Sequence, residues 1–376
     1  WEIATMSPKT ESLLLLMKRV IFCYWNVSIK NSDVDARVLF PEAWETEGIT
    51  IDIDRYQLAK NPFINEEAAK QAASLSAADT PPLQEKPIHR VNPNTWMPFT
   101  LTLHHLHVDG KDWGKSTFKA EKQKDGFLFN QMELNLGAVH LKGNLSWRWN
   151  DGAPTTYFVG DVIGKDLGAI QKQWGYTPTI ESESMKLETD LYWVGSPIDF
   201  KLSRGDGRAN VFIQKGQLLD VDSTASSVKV IGLLNFKTLL RRMQLDFRDL
   251  YKKGISYDDI SGRLLFRDGA IITEDIKMDG PSVKLKISGS VDLPNQNVNQ
   301  KMALTLPLSR HLILPAAATG GLPLAATAYV LDRALGKQID KLTTLYFHLQ
   351  GHWDDPKVTQ TNYFDFEDFE GPLLLL

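Results

Sequence analysis

A chain of 376 residues with 43% hydrophobic and 23% charged side chains folds rather than stays disordered, and it is long enough for two or three ordinary domains or one elongated sheet. Its net charge of −4, with bases interleaved among acids, excludes a nucleic-acid-binding stripe; the densest basic pairs, Arg241-Arg242 and Lys252-Lys253, read as solvated element ends. A lone Cys23 excludes a disulfide-stapled scaffold and leaves an oxidising compartment open.

The sequence starts at Trp1 and reads as a fragment. Leu13–Met17 and Val20–Trp25 are apolar, but Lys18-Arg19 divides them, and neither half reaches the ~20 residues that cross a bilayer. Residues 1–25 are expected to form an irregular or edge segment, with any membrane anchor upstream. Residues 27–58 predict strands, Ile49, Ile51 and Ile53 alternating with Thr50, Asp52 and Asp54. The stretch 61–97 changes character. Glu66–Ala78 is Ala-rich and predicts a helix, and Pro81, Pro82, Pro87 and Pro93 make the remainder a linker or insertion.

From Phe99 to Trp149 the pattern predicts a meander of four strands, punctuated by the turn signals Asp109-Gly110 and Asp125-Gly126. Its clearest member is 138–149. There Val139, Leu141, Leu145, Trp147 and Trp149 point one way, and His140, Lys142, Asn144, Ser146 and Arg148 the other. Leu128, Met132, Leu134 and Leu136 are expected to share one apolar face. Residues 155–163 predict another strand, Asp166–Trp174 a short helix, and Glu183–Val194 a strand.

Farther on, Val283, Leu285, Ile287, Val291 and Leu293 oppose Lys284, Lys286, Ser288, Ser290 and Asp292; Met302, Leu304, Leu306 and Leu308 continue the apolar series. The same interval separates Asp125-Gly126 from Gly137 and Asp268-Gly269 from Gly280, with Gly143 and Gly289 inside the following strands, which suggests a repeated unit. Two segments break the β rhythm. Thr224–Arg242 has helical spacing, and its terminal cations suit a helix C-terminus. Leu312–Leu342 is apolar and rich in small residues, and Pro315 and Pro323 divide it into two short helices or a helical hairpin. Ala317, Gly321 and Ala325 lie four apart, so this segment either packs on the sheet or, with Leu324, Val330 and Leu331, docks on membrane or a partner.

The run Gly232-Leu233-Leu234-Asn235-Phe236, Leu239–Arg242, Leu245-Asp246-Phe247, Lys253-Gly254, Asp259-Ile260 and Asp268-Gly269 resembles the C-terminal region of YhdP-type proteins of the AsmA-like superfamily. The likeness continues through Gly280-Pro281, Ile287–Leu293 and Leu335–Lys341 to Trp353–Pro356, and upstream through Leu191-Tyr192-Trp193 and Gly143 with Trp147. It covers roughly 30–360 and leaves both tails unmatched.

The resemblance implies a mainly β fold: an elongated, curved antiparallel sheet forming a groove, with a few helices, including an apolar one near the C-terminus. It divides the chain into 1–60, N-terminal strands of a truncated β-groove; 61–97, linker or insertion; 98–222, a groove unit; 223–360, an AsmA-like C-terminal unit with helices over about 224–242 and 312–342; and 361–376, a tail. It also implies a bridge-like lipid transfer protein of the Gram-negative periplasm, anchored to the inner membrane through an N-terminal helix absent here. Such a protein moves phospholipid toward the outer membrane and maintains its permeability barrier. The expected partners are phospholipid acyl chains and, at the C-terminal end, the outer-membrane inner leaflet or an envelope protein. No cofactor, metal or nucleic acid is implied.

Catalytic signatures are missing. His105 and His107 share a strand face with His104 opposite, but no Cys or spaced carboxylate completes a tetrahedral set. Asp258-Asp259 and Glu181/Glu183 are the nearest approach to an acid–base pair, yet adjacent strand residues point apart. The candidate site is therefore the apolar face: Leu128, Met132, Leu134, Val139, Leu141, Leu145, Trp147, Val283, Leu285, Ile287, Val291, Leu293, Leu304 and Leu306. Helices, a second sheet or lipid must cover it. Three rival readings remain: a non-conducting scaffold or assembly factor with a sealed core, an outer-membrane barrel, and an enzyme.

Overall fold

The structure, a computed structural model, describes residues 16–20, 24–61, 90–219, 254–307, 342–353 and 356–361. Eighteen strands account for most of it. They are β1 (Leu16–Val20), β2 (Tyr24–Lys30), β3 (Val34–Phe40), β4 (Ile49–Leu58), β5 (Phe99–Val108), β6 (Lys111–Asp112), β7 (Ser116–Gln123), β8 (Gly126–Leu136) and β9 (Val139–Asn150). The series continues with β10 (Ala153–Gly164), β11 (Ile180–Val194), β12 (Asp206–Leu218), β13 (Ile255–Arg267), β14 (Ala270–Asp279), β15 (Lys284–Asp292), β16 (Asn297–Pro307), β17 (Leu342–His352) and β18 (Lys357–Thr361). Two short α-helices, α1 (Trp44–Glu47) and α2 (Leu167–Gln173), and three 3-10 turns complete the regular structure among the described residues.

The strands form one open, curved sheet in which each pairs with the next in chain order, the two-residue β6 sitting beside β5 while β5 goes on to β7. All pairs but one are antiparallel. The exception is β4 beside β5, with Ile51 level with Leu101. Alternation alone does not distinguish parallel from antiparallel neighbours; the connection over 59–98 permits this one, since parallel strands need a long crossover. The described ends of that connection both meet the apolar side of the sheet: Asn61 Nδ2 donates to the Gln173 carbonyl of α2 at 2.7 Å, and Trp96 lies on Trp147.

Pairing fixes which side chains share a face. Val38, Ile51, Leu101, Phe118, Leu134, Leu141, Val162 and Leu187 lie on one face, hereafter the inner face. On β8 the register shifts between Phe129 and Met132, where Gln131 adopts φ of +49°. That bulge reverses the expected placement of Leu128. It stands opposite Ser146 on the outer face, while Phe127 and Phe129 join Met132, Leu134 and Leu136 inside.

Inside several strands the backbone has room only for glycine. Gly143 and Gly160 face each other across β9 and β10, and a Cβ on Gly143 would lie 2.4 Å from the Val159 carbonyl oxygen. On β15, Gly289 holds φ of +122°, and a Cβ there would meet the Asn299 carbonyl oxygen at 2.3 Å. Only a hydrogen fits where adjacent backbones approach so closely.

Helix α2 begins where the Asp166 carboxylate accepts from the Gly168 N–H at 2.9 Å, and its Ile170 packs with Val139 and Met185 on the inner face. The helices expected over 66–78, 224–242 and 312–342 lie outside the described residues, as do Ala317, Gly321, Leu324, Ala325, Val330, Leu331 and the side chain of Leu306. Among the described residues no helix is long and apolar enough to cross a membrane.

Candidate functional site

The two faces of the sheet differ in chemistry. Outside, charges pair across strands, Lys142 with Glu133 at 3.3 Å, Lys186 with Asp161 at 3.2 Å and Arg208 with Asp190 at 3.0 Å, and along β11, where Lys186 also meets Glu188 at 2.9 Å. The Glu188 and Asp161 carboxylates hold the Lys186 ammonium above its usual pKa, and Lys186 in turn holds Glu188 below the usual carboxylate range. Each exposed pair is worth little, but together they show a face built for water. The inner face is apolar over nearly every strand.

Burial of that inner face changes along the sheet. On β2 to β5, Val27, Ile29, Val38, Ile49, Ile51, Ile53, Phe99 and Leu101 are only half-buried, although Ala36 and Leu103 in the same face are buried. In the middle, Met132, Val139, Leu145 and Trp147 are buried, while Leu134 and Leu141 keep partial access. From β13 to β17 the face is packed shut. Val283, Leu285, Ile287, Val291 and Leu304 join Met302, Leu345, Phe347 and Leu349 in one cluster, with Leu293 packed at its border. These residues, expected to line an open trough, are buried in this structure: Leu304 is 0% exposed, level with Leu285 on one neighbouring strand and Leu345 on the other.

Between the open and closed regions stands an aromatic group at one edge of the sheet. Phe99 meets Phe118 and Phe129 with centroids 5.7 and 6.4 Å apart, and Trp96 contacts Phe99 at 6.4 Å and Trp147 at 5.3 Å. Trp96 is missed by strand periodicity because it precedes β5, in the turn following Pro93–Thr95. The signal was its proline-flanked position beside a strand start.

The histidines divide as strand geometry demands. His105 and His107 share a face, with ring centroids 6.2 Å apart, and His105 Nδ1 lies 2.7 Å from Asp112 Oδ2. That contact, with the Gly114 N–H donating to the other oxygen, holds the Asp112 carboxyl below its usual range. On the opposite face His104 lies 3.1 Å from Asp52, and Asp54 is close enough for the three to offer ligand atoms within 4.8 Å of one another. Arg37 reaches Asp54 at 3.5 Å, so the group reads as a surface cluster of polar and ionic contacts. Sequence spacing hides it, since Asp52 and His104 meet only through the parallel register.

The carboxylates weighed for acid–base work do not converge. Asp258 and Asp259 are adjacent on β13 and point to opposite faces. Glu181 accepts from Gln217 Nε2 at 2.9 Å, while the Tyr257 hydroxyl donates to the Glu181 main-chain carbonyl at 2.6 Å. Burial, then the nearby Asp166 and Glu181, pushes the Tyr257 hydroxyl far above its usual pKa and keeps it a neutral donor.

No solved structure matches this one. A curated relative from Escherichia coli (strain K12), named "Intermembrane phospholipid transporter YhdP", is 22% identical over 298 residues, which covers 79% of this chain and 23% of the relative. The chain thus spans about a quarter of the length of the relative it matches. The family model described as "YhdP protein" matches residues 5–358, nearly the whole chain, and with the one-faced β-sheet it establishes that this chain belongs to the YhdP family.

Proposed function

We propose that this chain is one segment of a conduit that carries phospholipid between the membranes of a Gram-negative envelope, with acyl chains against the inner face and head groups toward water. The observation that carries this reading is the half-buried apolar inner face of β2 to β5, continued by Leu134 and Leu141, set against a charged outer face. Each methylene removed from water contributes about 0.8 kcal/mol, so a dozen carbons are worth about 10 kcal/mol together. One step of sliding exchanges only a small part of that. A long greasy surface therefore holds a chain without fixing its position, and no covalent step is needed. In the full-length protein an inner-membrane anchor and a C-terminal contact with the outer membrane or an envelope partner would complete a periplasmic bridge, and delivery toward the outer membrane would maintain its barrier.

Photo-crosslinking amino acids test this directly. Probes at Ile51, Leu101 and Leu141 should capture phospholipid in cells, and probes at outward-facing Thr50 and Lys142 should not. Capture confined to the outer positions, or absent everywhere, would overturn the conduit. The closed cluster around Leu304 favours a second reading for β13 to β17, a sealed scaffold. A scaffold throughout would yield no lipid on extraction of the gently purified protein.

A further inference from the structure

A surface made only of hydrocarbon has no means of holding the polar end of an amphiphile. Several polar groups interrupt the inner face at the edge that carries the turns near Asp125 and Asp151, and two of them, Lys122 and Trp147, stand out. Lys122 is the single charged side chain that β7 to β10 turn inward: it stands opposite Phe127, which stands opposite Trp147. Its ammonium pairs with no carboxylate among the described residues and donates to the Trp96 main-chain carbonyl at 3.4 Å. Trp147 is 3% exposed, and its indole Nε1–H has no acceptor among the described residues. Buried donors are almost always paired, so an unpaired one calls for an explanation.

The neighbouring tryptophan sharpens the contrast. Trp193 lies in the same cross-strand row, reached from Trp147 through Thr156. Its Nε1–H donates to the Ser196 carbonyl at 2.9 Å, and the Thr156 hydroxyl donates to the Gly195 carbonyl at 2.8 Å. The fold thus satisfies two of three polar groups in one row and leaves the third beside an unpaired cation. Trp96 meets Trp147 edge-to-face at 87° and is itself 43% exposed, so it is the movable member of the pair.

The geometry points to a head-group contact at this corner. Lys122 meets the phosphate of a phospholipid, and Trp147 Nε1–H donates to an ester carbonyl oxygen once the Trp96 ring turns aside, the acyl chains then lying over Phe129 and Leu134. This rests on the reading of the inner face as a lipid path and adds to it a place where a sliding lipid pauses.

The test uses the purified full chain with NBD-acyl phosphatidylglycerol, NBD-acyl diacylglycerol and inorganic phosphate as a competitor. Lys122→Gln should weaken phosphatidylglycerol binding about threefold to tenfold, the loss of one charge-assisted contact, and leave diacylglycerol unchanged. Trp147→Phe, which keeps the ring and removes the donor, should weaken both lipids by a similar factor. Should Trp147→Phe lower the unfolding midpoint too far for binding to be measured, the exposed Lys122→Gln decides alone. Wild-type affinity for phosphatidylglycerol in both variants would overturn the contact and leave the lipid path standing. Displacement of the lipid by millimolar inorganic phosphate would mark a free-anion site and also overturn it. A wild-type chain that takes up neither lipid would remove the lipid path together with the contact.

Discussion

On β4 and β5 the inner-face residues Ile49, Ile51, Ile53, Phe99 and Leu101 remain half-buried, whereas on β15 to β17 their counterparts Leu285, Ile287, Met302, Leu304, Leu345 and Phe347 are almost wholly removed from water. Both stretches carry the same alternation and similar side chains. Their neighbourhoods differ. In the C-terminal stretch Met302 and Leu304 each meet a large apolar group on both flanking strands, and the cluster runs on to Met278, Ile260 and Ile213. In the N-terminal stretch most inner-face side chains keep some access to water, with Ala36 and Leu103 the buried exceptions. One apolar stripe therefore changes along its length: it is crowded in the C-terminal stretch, where it holds the sheet together, and less crowded on β4 and β5.

The contrast can be broken most sharply by truncation. Leu304→Ala should cost about 3–5 kcal/mol, a transfer loss plus a cavity that the packed cluster closes poorly. Ile51→Ala, on half-buried surface, should cost about 1–1.5 kcal/mol, part of the full-burial value. Urea unfolding of the two variants measures the difference, and equal losses would abolish the distinction between the regions.

Next in size is Gly289→Val. It forces a branched side chain into φ of +122° and toward the Asn299 carbonyl, and about 2–3 kcal/mol of destabilisation is expected by the same unfolding measurement. An unchanged midpoint would show that the C-terminal stretch does not depend on this glycine.

The smallest effect concerns pH. His348, on the outer face of β17, has its pKa lowered by burial and then by Lys301, and its Nε2 lies 2.7 Å from Asn299 Oδ1. Below about pH 6.5 the unfolded chain takes up this proton before the folded one does, so stability falls as pH drops through that value and levels off once both states are protonated. His348→Gln should flatten this part of the curve, measured as the thermal midpoint between about pH 5 and 7. An identical slope in the variant would assign the dependence elsewhere.

Much of the fold was legible because a half-wet sheet leaves a period of two in the sequence. Val139 to Trp149, Val283 to Leu293 and the helix after Asp166 all lie where the pattern places them. Leu128 was misplaced because a bulge adds a residue without changing composition, and the only trace is one positive φ at Gln131. The β4–β5 pairing could not be read, since parallel and antiparallel neighbours alternate alike. The Lys122 corner was half-visible. The series Phe118, Ala120, Lys122 already put a cation on an apolar face, but the unpaired indole beneath Trp96 required three strands to be brought together. The grading of burial was least visible, because alternation reports which way a residue points and not what crowds it.

The end strands of the sheet carry one last consequence. Among the described residues β1 is bonded only to β2, and β18 only to β17, so each outermost strand keeps a row of main-chain donors and acceptors directed away from the stack. A closed barrel fixes its own strand number; a ribbon of this kind has no such condition. Each added strand lengthens it by about 4.8 Å, and the series here already measures on the order of 75 Å along its curve. Reach is thus an adjustable quantity in this architecture, set by how many hairpins are appended and independent of the chemistry inside.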